Sequence, residues 1–172
     1  LEIQKNTMSF LQTGGNDVIE ITTNQNWSFN TPPAWLTLSE TSGKKDATVT
    51  VTATENKDYA PREFTLIVTA GSLSGRVVVS QPGLDPVLSV NPKNIGFEVD
   101  GGTETVSVTS NVTWTPQLSD GADSWLTITV SEDKTGITIT SAPNTTAEQR
   151  EATLTLEGNQ EKSDVVTIIQ DG

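Results

Sequence analysis

Cysteine and histidine are both absent from this sequence of 172 residues. The chain therefore has no disulfide, no thiolate nucleophile, no imidazole base and none of the usual nitrogen or sulfur ligands of a zinc site. Residues 71–75 read Gly-Ser-Leu-Ser-Gly, with leucine where a hydrolase needs its nucleophilic serine. A small exported domain can fold without disulfides when it builds its own core, so the lack of cysteine assigns no compartment.

Basic residues and long apolar runs are also scarce. The chain has 10 Lys and Arg and 22 Asp and Glu, a net charge of −12, which argues against nucleic acid and anionic lipid as partners because those need a basic face. No stretch reaches the 18 or so apolar residues of a membrane-spanning helix, so we expect no direct membrane insertion. The sequence begins with Leu and shows no signal peptide. We therefore expect a mature or trimmed fragment, from which any export signal has been removed.

Threonine is abundant where helix-forming residues are few. The chain contains 28 threonines and one methionine, and only 33% of its residues are hydrophobic. Threonine is branched at Cβ and favours strands over helices. No segment carries an apolar period of 3.6 residues long enough for a helix. The composition predicts an all-β protein.

The chain repeats itself at offsets of 87 to 90 residues. Six blocks recur in the same order, which indicates two copies of one small domain, residues 1–84 and residues 85–172. Two prolines and a glycine within residues 81–87 predict a short, stiff linker between the copies. The matched blocks are residues 10–15 with 97–102, 26–28 with 113–115, 35–38 with 125–128, 48–53 with 136–141, 55–63 with 143–151 and 77–83 with 166–172.

Comparing the two copies identifies the inward side of each strand. Ile19 and Ile21 align with Val106 and Val108 of the second copy, where the intervening residues are polar. Each copy shows about seven short alternating strands, separated by turn signals such as Ser42-Gly43. This pattern is typical of an antiparallel β-sandwich.

The repeated motifs resemble the BACON domain. The resemblance rests on two tryptophans, an Asn and Arg pair before a strand, and a last strand that ends in Gln, and the two copies together cover nearly the whole chain. It implies tandem immunoglobulin-like sandwiches in a surface or secreted protein of Bacteroidetes, often linked to glycan-degrading or adhesive proteins. It also implies binding of carbohydrate, including mucin glycans, with a spacer role as the competing interpretation. The first copy carries NWS at 26–28, WLTLSETSG at 35–43, TVTVTATEN at 48–56 and VVVSQPG at 77–83.

The four tryptophans could form either a core or a sugar-stacking surface. Trp27 matches Trp114 and Trp35 matches Trp125, yet the segments between them differ in length, with three extra residues in the second copy, and in chemistry. A shared sugar platform would also keep its flanking polar groups, so we interpret the tryptophans as structural. We expect Trp35 and Trp125, which lead into apolar strands, to lie in the core. For Trp27 and Trp114, a sheet edge with one face in water stays open as an alternative.

Asparagine and arginine pairs frame one loop in each copy. Asn56 precedes Arg62, and Asn144 precedes Arg150, by six residues. Asparagine tolerates turn conformations and bonds backbone groups, and arginine can tie a loop to a strand end, so we interpret all four as structural. Tyr59 lies in the same loop but has no aromatic counterpart, so it is the candidate for glycan contact, with packing on the sandwich as the alternative.

The sequence gives little evidence for catalysis or for metal binding. Glycoside hydrolysis needs only two carboxylates, but it also needs a deep cleft, which two domains of this size have no spare structure to build. We therefore expect no enzyme and no cofactor. Residues 119–133 bring Asp120, Asp123, Glu132 and Asp133 together in sequence, which makes calcium an alternative, although their spacing follows no known calcium loop.

Two functions from different classes remain. The first is a non-catalytic module, extracellular, on the cell surface or in the periplasm, that engages glycans or host and cell-surface glycoproteins. The second is a structural spacer that positions other domains of the parent chain. The copies differ in net charge, −2 for residues 1–84 and −10 for residues 85–172, which argues against two equivalent ligand sites. Adhesion by strand addition at a sheet edge is a third interpretation that uses the same fold.

Overall fold

A computed structural model describes all 172 residues, Leu1–Gly172. Seventeen strands and a single turn of 3-10 helix make up its regular structure, so the predicted all-β class is confirmed. The chain forms two compact units, Leu1–Asp85 and Pro86–Gly172, divided one residue after the boundary expected from the repeats. None of its helical structure has the length and apolar character needed to cross a membrane.

The first domain is a sandwich of two sheets. One sheet has the order β1-β3-β7-β5 and the other the order β2-β9-β8-β4-β6. The strands are β1 Glu2–Ile3, β2 Thr7–Ser9, β3 Gly15–Thr22, β4 Asn26–Phe29, β5 Leu36–Leu38, β6 Ser42–Lys44, β7 Ala47–Ala53, β8 Arg62–Ala70 and β9 Leu73–Gln81.

The second domain repeats this plan with eight strands. Its sheets have the orders β10-β12-β15-β14 and β11-β17-β16-β13. The 3-10 helix, Ala122–Ser124, occupies the longer segment between the two tryptophans of this copy. The strands are β10 Leu88–Asn91, β11 Asn94–Phe97, β12 Gly102–Ser110, β13 Trp114–Leu118, β14 Leu126–Val130, β15 Gly136–Ser141, β16 Arg150–Gly158 and β17 Ser163–Gln170.

The predicted immunoglobulin-like sandwiches are confirmed, with two differences in detail. Each domain has more strands than the seven expected, because its first segment divides into two short strands that join different sheets. The second of these runs parallel to the last strand, β2 beside β9 and β11 beside β17, while all other pairs are antiparallel. Ser42-Gly43, which reads as a turn, lies in β6, a strand that the second domain lacks.

Alternation of side chains builds the core between the sheets. The positions selected by comparing the copies are buried: Ile19, Ile21, Val106 and Val108 are each no more than 5% exposed. Full burial of an aliphatic side chain of this size contributes about 1.5–3 kcal/mol. In the first domain, residues from both sheets form one continuous cluster. Outward positions are mostly Thr, Ser and charged residues, which is the binary pattern of a half-exposed sheet.

The free edge of one sheet differs between the domains. In the first domain β6 covers β4, so that the Phe29 amide donates to the Thr41 carbonyl at 2.8 Å. In the second domain β13 has no such neighbour, and Pro116 occupies the position that matches Phe29. Ser119 and Thr113 form main-chain hydrogen bonds with the neighbouring β16 side. The direction of the backbone groups alternates along a strand, so the odd-numbered residues of β13 face β16 and the even-numbered ones, including Pro116, face the open side. Proline has no N–H to offer there, which protects the edge.

Candidate functional site

The tryptophans occupy two kinds of position. Trp27 and Trp114 point inward from β4 and β13 and are buried, at 2% and 7% exposure. Trp35 and Trp125 lie just before β5 and β14 and are only half-buried. Trp35 packs against the core of the first domain, but neither Trp35 nor Trp125 is fully buried, so the expectation that these two lie deeper than Trp27 and Trp114 is corrected. The physical reason is parity, since Trp27 and Trp114 stand on strand positions that alternate with exposed polar residues, whereas the other two stand where a loop enters a strand.

An arginine covers the ring of each half-buried tryptophan. The guanidinium carbon of Arg62 lies 4.5 Å from the centroid of the Trp35 ring, and that of Arg150 lies 4.3 Å from the centroid of the Trp125 ring. A cation over an indole face contributes about 0.5–2 kcal/mol, depending on how far it is shielded from water. The covered face is therefore not free to stack on a sugar.

A buried glutamine holds each arginine in place. The Arg62 Nε atom donates to Gln81 Oε1 at 2.8 Å, and the Arg62 Nη2 atom donates to the Thr54 carbonyl at 2.8 Å. Gln81 Nε2 donates in turn to the carbonyls of Leu11, Gln12 and Thr54 at 2.8–3.0 Å. Gln81 is 1% exposed, so its amide links the end of β9 to two loops within the protein interior.

The second domain repeats this arrangement and adds a donor, since the Ser141 hydroxyl also donates to Gln170 Oε1 at 2.8 Å, where the first domain has Ala53. Arg150 Nε donates to Gln170 Oε1 at 2.9 Å, and Gln170 Nε2 donates to the carbonyls of Glu98, Val99 and Ala142 at 3.0–3.3 Å. Gln170 is completely buried, and no buried side-chain nitrogen or oxygen of the protein lacks a hydrogen-bond partner. A buried polar network with every member paired is rigid and costly to break.

The asparagines fold the loops beside these networks. Asn56 is fully buried, and its Nδ2 atom donates to the carbonyls of Ala60 and Pro82, each at 3.0 Å. Asn144 matches it, with Nδ2 donating to the carbonyls of Glu148 and Asp171 at 2.8 and 3.0 Å. Each asparagine thus ties its own loop to the chain that follows the last strand of the domain, as a structural residue does.

A shallow depression of about 410 Å³ lies beside the network of the first domain. It forms where the end of β2, the end of β9 and the start of β8 meet. Ser9 and Ser80 approach each other there, Oγ to Oγ, at 3.1 Å. Its lining is Ser9, Phe10, Pro61, Arg62, Glu63, Ser80, Gln81 and Pro82.

The matching surface of the second domain has different chemistry. Gly96 and Ile169 stand where the first domain has Ser9 and Ser80, and Gln149 and Asp171 replace the two prolines. The interior residues of the depression, Phe10, Arg62 and Gln81, keep their counterparts. The network is therefore common to both copies, while the hydroxyl pair and the proline walls belong to the first copy alone.

The family model described as "BACON: Putative binding domain, N-terminal" matches residues 18–82 and 113–171, which together are more than half of the chain. The chain belongs to the BACON family. The two matched segments fall one in each sandwich, so the molecule carries tandem BACON domains. No curated protein matches the sequence closely enough to count as a relative.

Several solved structures resemble parts of this BACON pair. A Bacteroides ovatus GH5 xyloglucanase in complex with a XXXG heptasaccharide is 22% identical, with a TM-score of 0.46, over 56% of this chain and 21% of its own. An endo-fucoidan hydrolase from glycoside hydrolase family 107 is 16% identical, with a TM-score of 0.37, over 97% of this chain and 28% of its own. Protocadherin gamma B2 extracellular cadherin domains 3-6 are 11% identical, with a TM-score of 0.43, over 99% of this chain and 46% of their own. This chain thus spans about a fifth to a half of the length of these three chains.

Tyr59, the candidate for glycan contact, is half-buried in the loop that Asn56 folds. The Tyr59 main chain packs so closely against Gly83 that a Cβ atom on Gly83 would meet the Tyr59 carbonyl oxygen at 2.0 Å. Its ring does not line the depression, although Pro61 two residues later does. Contact between Tyr59 and a glycan stays a prediction.

The acidic segment of the second BACON domain does not assemble into a metal centre. The structure contains no group of three or more carboxylates placed to hold a metal ion, and Asp120, Asp123, Glu132 and Asp133 therefore form no such group. Hydrogen bonds from the Ser131 hydroxyl and from the Thr135 amide and hydroxyl lower the pKa of Asp133. The Asp133 carboxylate therefore closes a local turn.

Sequence reasoning did not single out Gln81 and Gln170 as site residues, although a signal for them was present. Each is the last residue of its final strand and stands at an inward position, after Val79 and Ile168. When both copies have a glutamine at an inward strand position, the pattern indicates a buried amide that forms its hydrogen bonds inside the protein.

Proposed function

We propose that this BACON pair is a non-catalytic binding module of a larger exported protein and that its first domain engages glycans. The observation that carries the proposal is the depression bounded by Pro61 and Pro82. Binding sites for small molecules are concave and combine apolar walls with a few placed polar groups. This depression meets that description, since its lining combines Pro61 and Pro82 with the hydroxyls of Ser9 and Ser80.

The volume of the depression is sufficient for a small ligand such as a sugar unit. About 410 Å³ lies at the lower end of the range of roughly 300–1,000 Å³ seen for small-ligand sites. The site is open, so a bound sugar keeps much of its surface in water and the affinity is weak. Because only the first copy has the hydroxyl pair, the proposal predicts one site for each chain and no avidity between the two copies.

A glycan array with the whole chain, run with and without calcium, tests this proposal. We expect saturable binding that does not depend on calcium. We expect it to be lost in Ser80→Ile, which puts into the lining the residue type that the second domain has at the matching position, Ile169. Tyr59→Ala is the separate test of the tyrosine. Loss of binding in that variant, with the fold intact by circular dichroism, assigns the ligand contact to the loop of Asn56 instead.

A structural spacer is the second candidate function. Its supporting observation is that no aromatic ring is among the large exposed hydrophobic side chains, which are all Leu or Val. The two copies also keep their interior networks and diverge on the surface, as expected when only folding is maintained. An array that stays blank with protein shown to be folded supports the spacer and contradicts glycan binding.

A further inference from the structure

Resting on the proposed function, we infer that the depression of the first domain selects neutral sugars and rejects sulfated, sialylated or uronic ones. The selectivity comes from Glu63, the only carboxylate in its lining. Glu63 is exposed at the rim, directly opposite Ser80 in the register of β8 and β9. An ionised carboxylate is only an acceptor of hydrogen bonds, so it pairs with sugar hydroxyls and repels anionic substituents.

Glu63 takes part in no ion pair. The protein has two ion pairs, Lys5 with Asp17 and Lys93 with Asp164, and neither involves this carboxylate. Arg62 is the one basic residue in the lining, and it is already committed to other partners. Its Nε and Nη2 atoms donate to Gln81 and Thr54, and its face covers the Trp35 ring. Arg62 and Glu63 are successive residues of β8, so their side chains leave opposite faces of the strand. An anionic sugar over the two serines would therefore meet the Glu63 charge, while the one cation of the lining lies on the other face.

The serine hydroxyls complete a pattern that matches a neutral sugar. Ser9 and Ser80 hydroxyls lie 3.1 Å apart, and each can both donate and accept a hydrogen bond. Adjacent hydroxyls on a sugar ring also both donate and accept, so they can replace the serine-to-serine bond without leaving a polar group unpaired. The carbons of Pro61 and Pro82 offer the apolar surface for the face of the ring. A neutral sugar can therefore pair with the Glu63 carboxylate, with the two serine hydroxyls and with the proline carbons at the same time.

The experiment is an array that carries neutral glycans beside their sulfated, sialylated and uronic counterparts, probed with the whole chain. We compare the wild type with Glu63→Gln, which keeps the shape and removes the charge. Like charges in close contact discriminate strongly, so we expect neutral glycans to bind about tenfold or more tighter than their acidic counterparts. In Glu63→Gln we expect that ratio to fall toward one because binding of the acidic forms rises.

A gain of binding in the second domain serves as the matched control. The double variant Gly96→Ser and Ile169→Ser, made on the Ser80→Ile background, builds the hydroxyl pair beside Glu151, the counterpart of Glu63. A Cβ atom on Gly96 would meet no heavy atom within 4 Å, so the serine fits. We expect neutral binding lost in Ser80→Ile to return at least in part. Because the prolines are not transferred, the affinity should stay below that of the wild type.

The outcomes separate this inference from the proposed function. Binding confined to neutral glycans, with the ratio reduced in Glu63→Gln, supports both. Binding that is stronger for acidic glycans, or a ratio that Glu63→Gln leaves unchanged, overturns the selectivity and keeps the glycan-binding function. A blank array for all variants overturns the proposed function and the inference with it.

Discussion

Arg62 lies over Trp35, and the same guanidinium donates through Nε to the buried amide oxygen of Gln81 at 2.8 Å. One planar side chain thus joins the half-buried tryptophan on one side to a buried hydrogen-bond network on the other. Arg150, Trp125 and Gln170 reproduce the relationship in the second domain. The network is thus common to both domains although the surfaces around it differ, and we expect it to stabilise each fold.

Arg62→Lys should destabilise the first domain by about 1–3 kcal/mol. Lysine keeps the charge but cannot donate from a planar fork to two partners while it covers the indole ring, so Gln81 Oε1 loses its donor. Urea unfolding of the whole chain, followed by tryptophan fluorescence, measures the change. Arg76→Lys on the exposed face of β9 is the control, with an expected effect within about 0.5 kcal/mol. Equal losses in the two variants would contradict a special role for Arg62.

Gln81→Leu should cost more than the arginine variant, about 3–5 kcal/mol. Leucine fills the space but leaves the carbonyls of Leu11, Gln12 and Thr54 without their donor, and a buried unpaired polar group costs about 1–3 kcal/mol. Gln170→Leu should cost the second domain a similar amount. Thermal and urea unfolding of each variant, beside Gln4→Leu at an exposed position, gives the comparison. A loss no larger than that of Gln4→Leu would show that the network does not stabilise the fold.

The alternation in the sequence predicts strands and core, but it does not predict loop contacts. Ile19 and Val106 are identified correctly as core residues because the alternation of inward and outward side chains depends only on neighbouring residues, and the two copies can be compared. Trp35 packs against the core, but its partial exposure is not predicted, because a residue that leads into a strand has no alternation pattern of its own and its partner, Arg62, is 27 residues away. The depression is absent from any sequence pattern, since Ser9 and Ser80 meet only through a parallel pairing of distant strands.

Gly14→Ala and Gly101→Ala should each destabilise their domain by at least about 1–3 kcal/mol. Both glycines have positive φ, +89° and +77°, and an added Cβ would lie 2.4 and 2.3 Å from a backbone carbonyl oxygen. Gly96→Ala is the control, because no atom lies within 4 Å of its Cβ position, and alanine in a strand should be neutral or stabilising by about 0.5–1 kcal/mol. Differential scanning calorimetry measures all three. A Gly96→Ala loss as large as the others would contradict the steric explanation.

Asp164 should make the second domain more stable at neutral pH than in acid. Burial raises its pKa, but hydrogen bonds from the Lys93 ammonium and from the Val90 and Val165 amides outweigh it and hold the pKa below the ordinary value. The stabilisation is therefore fully present above the unfolded pKa of about 3.9 and is lost as the pH falls through the lower folded pKa. Asp164→Asn should be destabilising at pH 7 and lose that penalty in acid, as measured by urea unfolding across pH.

Glu104→Gln provides the control for that experiment, because it removes one negative charge from an exposed position of the same acidic domain. Its difference from the wild type reports the general repulsion among the acidic residues. If Asp164→Asn and Glu104→Gln follow the same curve with pH, the hydrogen bonds of Asp164 are not the source of the pH dependence.

Pro116→Val should make the chain self-associate through β13. Valine is similar in volume to proline and favours strands more strongly. It also adds an N–H that faces the open side of the sheet, between the outward-facing amides of Trp114 and Leu118. A row of free donors and acceptors on an edge strand invites pairing with a second copy. Thr115→Val is the matched control, because the Thr115 amide already faces β16 and the change adds no edge donor. Sedimentation velocity over a range of concentrations should show dimers for Pro116→Val alone, and equal association of both variants would trace the effect to added apolar surface instead.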